Sequence, residues 1–119
     1  MNIFDTILVV IVALEHLYIM YLETIATTSS KTSQTFNLNK QVLKDKNIQT
    51  LLKNQGIYNG LLAISLLYGV LFSTNPKEFV GVLLIFVILA AIYGSLTSSK
   101  SIILKQGGPA ILALILLLI

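Results

Sequence analysis

The sequence contains no cysteine and no arginine, and charged residues of any kind are scarce. Without cysteine, the chain cannot form disulfides or thiolate metal sites. Charged residues make up 11% and hydrophobic residues 55% of its 119 residues, whereas a soluble domain has about 25% and about 45–50%. The mean hydropathy is +0.87. This composition is typical of an integral membrane protein and argues against a soluble globular domain.

Four apolar stretches are long enough for helices that cross a bilayer. They cover residues 3–26, 48–73, 79–97 and 101–119, and a helix needs about 20 residues to cross roughly 30 Å of hydrocarbon. Asp5 stands where a signal peptide would be positively charged, so we expect the first helix to remain. We predict an all-α fold, an integral membrane four-helix bundle that forms a single transmembrane domain over residues 1–119, surrounded by membrane lipid.

Lysine supplies all the strongly basic charge, and its distribution predicts the orientation in the membrane. Seven lysines flank the first and third links between the predicted helices, and one lies in the middle turn. The seven are Lys31, Lys40, Lys44, Lys46, Lys53, Lys100 and Lys105, and the eighth is Lys77. By the positive-inside rule, both termini lie outside and the long first loop is cytoplasmic. This topology accounts for the net charge of +3 without a nucleic-acid partner.

The long polar segment at 27–47 has two interpretations. In the first, Asn39 caps a short interfacial helix in which Val42, Leu43 and Leu51 face lipid while the lysines face water. In the second, the segment is a plain linker. The residues in this segment favour neither interpretation over the other.

Each predicted helix carries polar residues in its cytoplasmic half. They are Glu15, His16 and Glu23 in the first helix, Asn54, Gln55, Tyr58 and Asn59 in the second, Tyr93 in the third and Gln106 in the fourth. At about 100° per residue, the polar members of the first two helices each share one side. The outer halves are almost entirely apolar. We therefore predict a polar cavity, open to the cytoplasm and closed outside, in which these nine residues bind a ligand.

The ionisable residues Glu15, His16 and Glu23 are also the candidates for catalysis, because a charged group at the centre of a membrane helix costs at least about 2.5–3.5 kcal/mol. His16 has three interpretations: a neutral hydrogen-bonding group, a proton relay with one of the glutamates, or a metal ligand. No histidine-rich spacing accompanies it. We therefore predict no metal and no cofactor.

Small residues and one proline suggest how the helices pack. Gly56, Gly60 and Gly94 are interpreted as points of close helix approach, and Tyr18 and Tyr21 as core residues. Pro109 follows two glycines and cannot donate a backbone hydrogen bond. We predict that the fourth helix is kinked there, in preference to a helix that starts late and leaves Lys105 and Gln106 to line the cavity.

Four short blocks together resemble a known family. The blocks "LEHLYIMYLE", "NQGIYNGLLA", "YGSLTSSK" and "QGGPAILAL" are similar to the signature blocks of the bacterial membrane protein family called domain of unknown function 1304. The resemblance covers all four predicted helices in order. It implies a multi-pass protein of the bacterial cell membrane and supplies no activity. The family's blocks carry over onto Glu15, His16, Tyr18, Glu23, Asn54, Gln55, Tyr58, Asn59, Tyr93, Gly94, Gln106 and Pro109.

Three classes of function fit these residues. The first is binding or transport of a small molecule or lipid, coupled to protons in one version. In length and in the glutamate of helix one, the chain resembles small multidrug resistance exporters, and a transporter of this size would have to form a homodimer. The second is an intramembrane acid/base enzyme, similar to four-helix membrane isomerases, acting on a lipid or isoprenoid. The third is a membrane assembly subunit whose polar pocket receives a helix of a partner.

Overall fold

A computed structural model describes residues 1–98 and 103–119, and these residues form five α-helices and no strand. The helices are α1 (Ile3–Thr24), α2 (Ser30–Phe36), α3 (Lys46–Leu71), α4 (Pro76–Thr97) and α5 (Gly108–Leu118). A 3-10 turn covers Val42–Lys44, and a π-helical turn covers Ile103–Gly107. The all-α prediction is confirmed for the described residues. Lys100 and the predicted start of the fourth helix at Ser101 lie outside them.

The helices that correspond to the second and third predicted spans begin earlier than predicted, because polar residues cap them. The carboxylate of Asp45 accepts the backbone N–H of Asn47 at 2.7 Å and starts α3 at Lys46. The side chain of Asn75 accepts the N–H of Glu78 at 3.4 Å, and Pro76 occupies the first turn of α4. Hydropathy places a helix start at the first apolar residue, whereas a cap places it at the preceding polar one.

The helices pack antiparallel along the chain. Helix α1 packs most extensively against α3 and also contacts α5, while α4 contacts α3 and α5. Gly56 and Gly60 of α3 are buried and lie directly against α1, as predicted. The largest apolar core lies away from the polar end of the molecule. It consists of Val9, Val12, Ala13, Ala63, Leu66, Val80, Leu84, Val87, Ala110, Ala113 and Leu117.

Helix α2 lies within the segment for which we predicted either an interfacial helix further along or a linker. Ser29 caps it, and it runs back along α1: the hydroxyl of Thr32 donates to the carbonyl of Leu22 at 2.9 Å, and Phe36 packs on Ile19 and Leu22. Asn37 ends it in the left-handed conformation, with φ 54°. The polar composition of this segment did not predict the helix. Side-chain hydrogen bonds to α1, as well as apolar packing, hold α2 in place.

The interfacial interpretation of the long loop is partly wrong. A single 3-10 turn forms at Val42–Lys44, and the side chain of Asn39 accepts the N–H of Gln41 at 2.8 Å. Val42 and Leu51 are exposed, but Leu43 is fully buried and cannot face lipid. This turn packs against α3.

The predicted break at Gly107-Gly108-Pro109 is a change of helix type. The π-helical turn ends at Gly107, and α5 begins at Gly108 with Pro109 in its first turn. Proline is tolerated there because the first residues of an α-helix need no backbone donor.

Among the described residues, two helices are long and apolar enough to cross a membrane, namely α1 and α4. The segment Lys105–Leu118 is apolar but shorter.

Candidate functional site

A cavity of about 450 Å³ lies at the end of the molecule where α1 and α4 end and α3 begins. The described residues that line it are uncharged, and we call it the neutral cavity. They are Ile19, Phe36, Leu38, Leu52, Gln55, Tyr58, Asn59, Ala90, Tyr93, Gly94, Thr97, Ser98 and Gln106. Apolar side chains from α1 and α2 therefore face amides and hydroxyls from α3 and α4 across one space.

The neutral cavity opens between α3 and α4. These helices touch near the turn that joins them, where a Cβ on Gly69 would lie 2.8 Å from Cγ2 of Val80. At their other ends the cavity lies between them, with Tyr58 of α3 and Tyr93 of α4 in its wall. The two tyrosines are 77% and 70% exposed. As far as the described residues go, this side of the cavity is therefore open to the surroundings of the protein.

A buried carboxyl group orients one residue of the cavity wall. Asn59 donates from Nδ2 to Oε1 of Glu23 at 2.6 Å. Glu23 is fully buried, and its Oε2 has no hydrogen-bond partner among the described residues. Since Asn59 also lines the neutral cavity, Glu23 fixes an amide whose carbonyl oxygen remains available to a ligand.

His16 is buried but lines neither this cavity nor the second one described below. Its Nδ1 lies 2.9 Å from the carbonyl oxygen of Val12. A carbonyl oxygen can only accept, so Nδ1 carries the proton and Nε2 of the neutral ring is an acceptor. Within the described residues, no hydrogen bond joins His16 to Glu15 or Glu23.

A second cavity of about 340 Å³ lies on the other side of Ile19 and Gln106, which line both. We call it the charged cavity. Its lining residues are Glu15, Tyr18, Ile19, Lys31, Thr35, Lys105 and Gln106. Oε1 of Glu15 is buried and has no hydrogen-bond partner in the part of the chain that the structure describes. The two glutamates of α1 thus belong to different environments.

The interpretation of Tyr18 and Tyr21 as core residues is wrong. Tyr18 is 47% exposed, and it stacks on the equally exposed Tyr21 with ring centroids 6.4 Å apart. Tyr18 lies on the side of α1 that borders the charged cavity.

The structure brings most of the nine predicted residues together, but in two groups. Five line the neutral cavity: Gln55, Tyr58, Asn59, Tyr93 and Gln106. Glu15 lines the charged cavity with Gln106, while Glu23 reaches the neutral cavity only through Asn59. Asn54 is exposed and lines neither cavity, because it lies about 100° around α3 from Gln55.

Sequence reasoning missed the part of the site that follows α1. Lys31, Thr35, Phe36 and Leu38 line one cavity or the other. The available signal was Ser29, a good helix cap, followed seven residues later by the lone aromatic Phe36.

Metal binding has no structural support in the described residues. They contain no group of three or more His, Cys, Asp or Glu residues that could hold a metal ion. The prediction that the protein uses no metal or cofactor stays a prediction.

These features define a small all-helical protein with two helices apolar enough for a membrane and a cluster of polar residues at one end. The family described as "Protein of unknown function (DUF1304)" has a model that matches residues 10–118, and the chain belongs to this family. The predicted membership is confirmed, and the matched range contains every predicted site residue. The chain is similar to the uncharacterized protein YpaA of Lactococcus lactis subsp. lactis (strain IL1403), with 58% identity over 115 residues and 97% of each chain covered. No solved structure matches it.

Proposed function

We propose that the protein is an integral membrane four-helix bundle whose neutral cavity binds the polar end of a small amphiphilic molecule or lipid. The four spans are α1, α3, α4 and the segment formed by the π-helical turn and α5. The chain forms one transmembrane domain in the cell membrane, with both termini outside and the long first loop in the cytoplasm.

Exposed apolar side chains support the placement in lipid. On α4, large apolar residues recur on the outer surface at spacings of three or four: Val82, Ile85, Phe86, Leu89, Ile92 and Leu96, each at least 42% exposed. The outer surfaces of α1, α3 and α5 carry similar residues, including Ile11, Leu61 and Leu112. Soluble monomers rarely expose continuous apolar surface on this scale, whereas lipid covers it at no cost.

The composition of the neutral cavity wall carries the proposal about its ligand. Binding sites for small molecules are largely apolar with a few polar groups that fix orientation, and they usually occupy about 300–1,000 Å³. Here Gln55, Asn59 and Tyr93 offer donors and acceptors, while Ile19 and Leu52 offer apolar surface. A ligand with an uncharged, hydroxyl-bearing end and an apolar chain matches both parts.

The opening between α3 and α4 favours a ligand that enters from the membrane. Tyr58 and Tyr93 flank this opening on faces that also expose Ile57, Leu61 and Leu89. Tyrosine is enriched at the boundary between lipid and water, because its ring is stable in apolar surroundings and its hydroxyl in polar ones.

Binding agrees better with the geometry than catalysis or transport by one chain. An acid/base enzyme needs its groups in reach of the substrate and of one another, and His16 lines neither cavity. A path to the outer side would have to cross the packed core around Leu66, Val80 and Leu84. Transport would therefore require a second copy of the chain.

Paired variants of adjacent residues on α3 test the proposal. Gln55→Leu removes a polar group from the neutral cavity, whereas Asn54→Leu removes an exposed amide that lines no cavity. With monoolein as probe, we expect Gln55→Leu combined with Tyr93→Phe to weaken binding about fivefold to a hundredfold, since each of the two lost hydrogen bonds contributes roughly 0.5–1.5 kcal/mol. Asn54→Leu should bind as the native protein does.

Native mass spectrometry of the detergent-purified protein would measure this binding and reveal any amphiphile that copurifies. Equal affinities in all variants, or no binding of monoolein or of any copurified amphiphile, would overturn the proposal.

A further inference from the structure

The charged cavity combines three charged side chains from three separate elements. Glu15 comes from the middle of α1, Lys31 from the first turn of α2 and Lys105 from the π-helical turn. Two ammonium groups and one carboxylate give a net positive site. The wall also contains Tyr18, Ile19, Thr35 and Gln106.

The carboxyl group of Glu15 needs a hydrogen-bond donor. Its Oε1 is buried and has no partner among residues 1–98 and 103–119, although the side chain lines a cavity with room for several non-hydrogen atoms. A buried polar atom without a partner is costly, so such an atom at a cavity wall points to a ligand that supplies the donor. Hydroxyl and ammonium groups are suitable donors.

The two lysines supply charges that suit an anionic ligand. Both are exposed, and their flexible side chains carry point charges of the kind that bind phosphate. If the protein lies in the membrane as proposed above, both lysines lie at its cytoplasmic end, where anionic lipid headgroups attract basic residues.

We propose that the charged cavity binds the headgroup of an anionic phospholipid that carries a hydroxyl group. The phosphodiester lies between Lys31 and Lys105, and the headgroup hydroxyl donates to Oε1 of Glu15. Tyr18 and Ile19 contact the lipid next to the headgroup. Phosphatidylglycerol has both features and a charge of the opposite sign to that of the site. This inference rests on the proposed membrane placement but not on the ligand of the neutral cavity.

Charge-matched variants separate this site from general attraction to anionic lipid. Lys31→Gln with Lys105→Gln removes both ammonium groups of the charged cavity. Lys40→Gln with Lys53→Gln removes the same charge from exposed positions that are also predicted to be cytoplasmic but line neither cavity. We expect the native protein to bind dioleoyl phosphatidylglycerol about tenfold or more tighter than dioleoyl phosphatidylcholine. The first pair should lose most of this preference, and the second should keep it.

A second comparison tests the role of Glu15. Phosphatidylmethanol has the charge of phosphatidylglycerol but no headgroup hydroxyl. We expect the native protein to prefer phosphatidylglycerol and Glu15→Leu to bind both lipids equally. Circular dichroism and thermal unfolding would establish that every variant is folded, and Glu15→Met, which also lacks an acceptor oxygen, replaces Glu15→Leu if the latter is not.

Native mass spectrometry with these lipids gives outcomes that bear on the two proposals separately. Equal loss in both lysine pairs, or no preference for phosphatidylglycerol in the native protein, overturns the headgroup site. Equally tight binding of glycerol 1-phosphate overturns the lipid and indicates a soluble phosphate ester. Monoolein binding should be unchanged in the lysine variants. If the native protein prefers phosphatidylglycerol but does not bind monoolein, the result counts against the neutral cavity alone.

Discussion

At the scale of single residues, the hydrogen bond between Asn59 and Glu23 joins the buried interior to the wall of the neutral cavity. The carboxyl group is fully buried and receives one donor, at 2.6 Å. The i, i+4 spacing of Gln55 and Asn59 on α3 predicted correctly that they share a face. Which glutamate Asn59 would meet could not be predicted, because Glu15 and Glu23 also lie on one side of α1.

Replacing Asn59 by Leu should destabilise the protein. The change leaves Glu23 without its donor, and we expect the free energy of unfolding to fall by about 1–2 kcal/mol. Glu23→Leu combined with Asn59→Leu should recover part of this loss, because neither partner is then left unpaired. Thermal unfolding in detergent measures both. Glu23→Leu is also measured alone. If the double variant loses as much unfolding free energy as the two single variants lose together, the bond contributes nothing.

At the scale of elements, the contact between α1 and α3 depends on the glycines of α3. A Cβ on Gly56 would lie 2.5 Å from Cγ2 of Thr24 and 3.3 Å from the backbone oxygen of Met20. Sequence spacing indicated close approach at these glycines but not which helix would approach. The side chain of Thr24 meets the added atom first, and Cβ of Glu23 at 3.1 Å and the backbone oxygen of Met20 leave it little further room.

Gly56→Ala is therefore expected to destabilise the protein by about 1–3 kcal/mol, as overpacking does. Gly81→Ala is the matched control within a helix, since its Cβ would meet only Cδ2 of Leu117 at an ordinary 3.6 Å. That change should be neutral or stabilise by up to about 1 kcal/mol, because alanine favours helix more than glycine. Unfolding in detergent compares the two, and equal effects would contradict close packing at Gly56.

At the scale of the whole molecule, the distribution of lysine predicts the orientation of the proposed bundle. Lys40 and Lys77 are both exposed, in the long loop and in the first turn of α4. They lie on opposite sides of the membrane if the four spans are correct.

Cysteine labelling tests this orientation without background, because the native chain has no cysteine. In intact cells, a membrane-impermeant maleimide should label Lys77→Cys and should label Lys40→Cys only after permeabilisation. Labelling in the opposite pattern would mean an inverted bundle. Labelling of both positions in intact cells would exclude the four-span arrangement.

The sequence alone determined the helical class, the approximate bounds of three long helices and the shared face of Gln55, Tyr58 and Asn59. Hydropathy and the 3.6-residue period depend only on neighbouring positions along one chain segment. Tertiary structure decided that Glu15 and Glu23 serve different cavities, that Asn54 lies outside both and that α2 folds back on α1. These outcomes depend on how each helix is rotated against its neighbours, and contacts such as Gly56 against Thr24 fix that rotation.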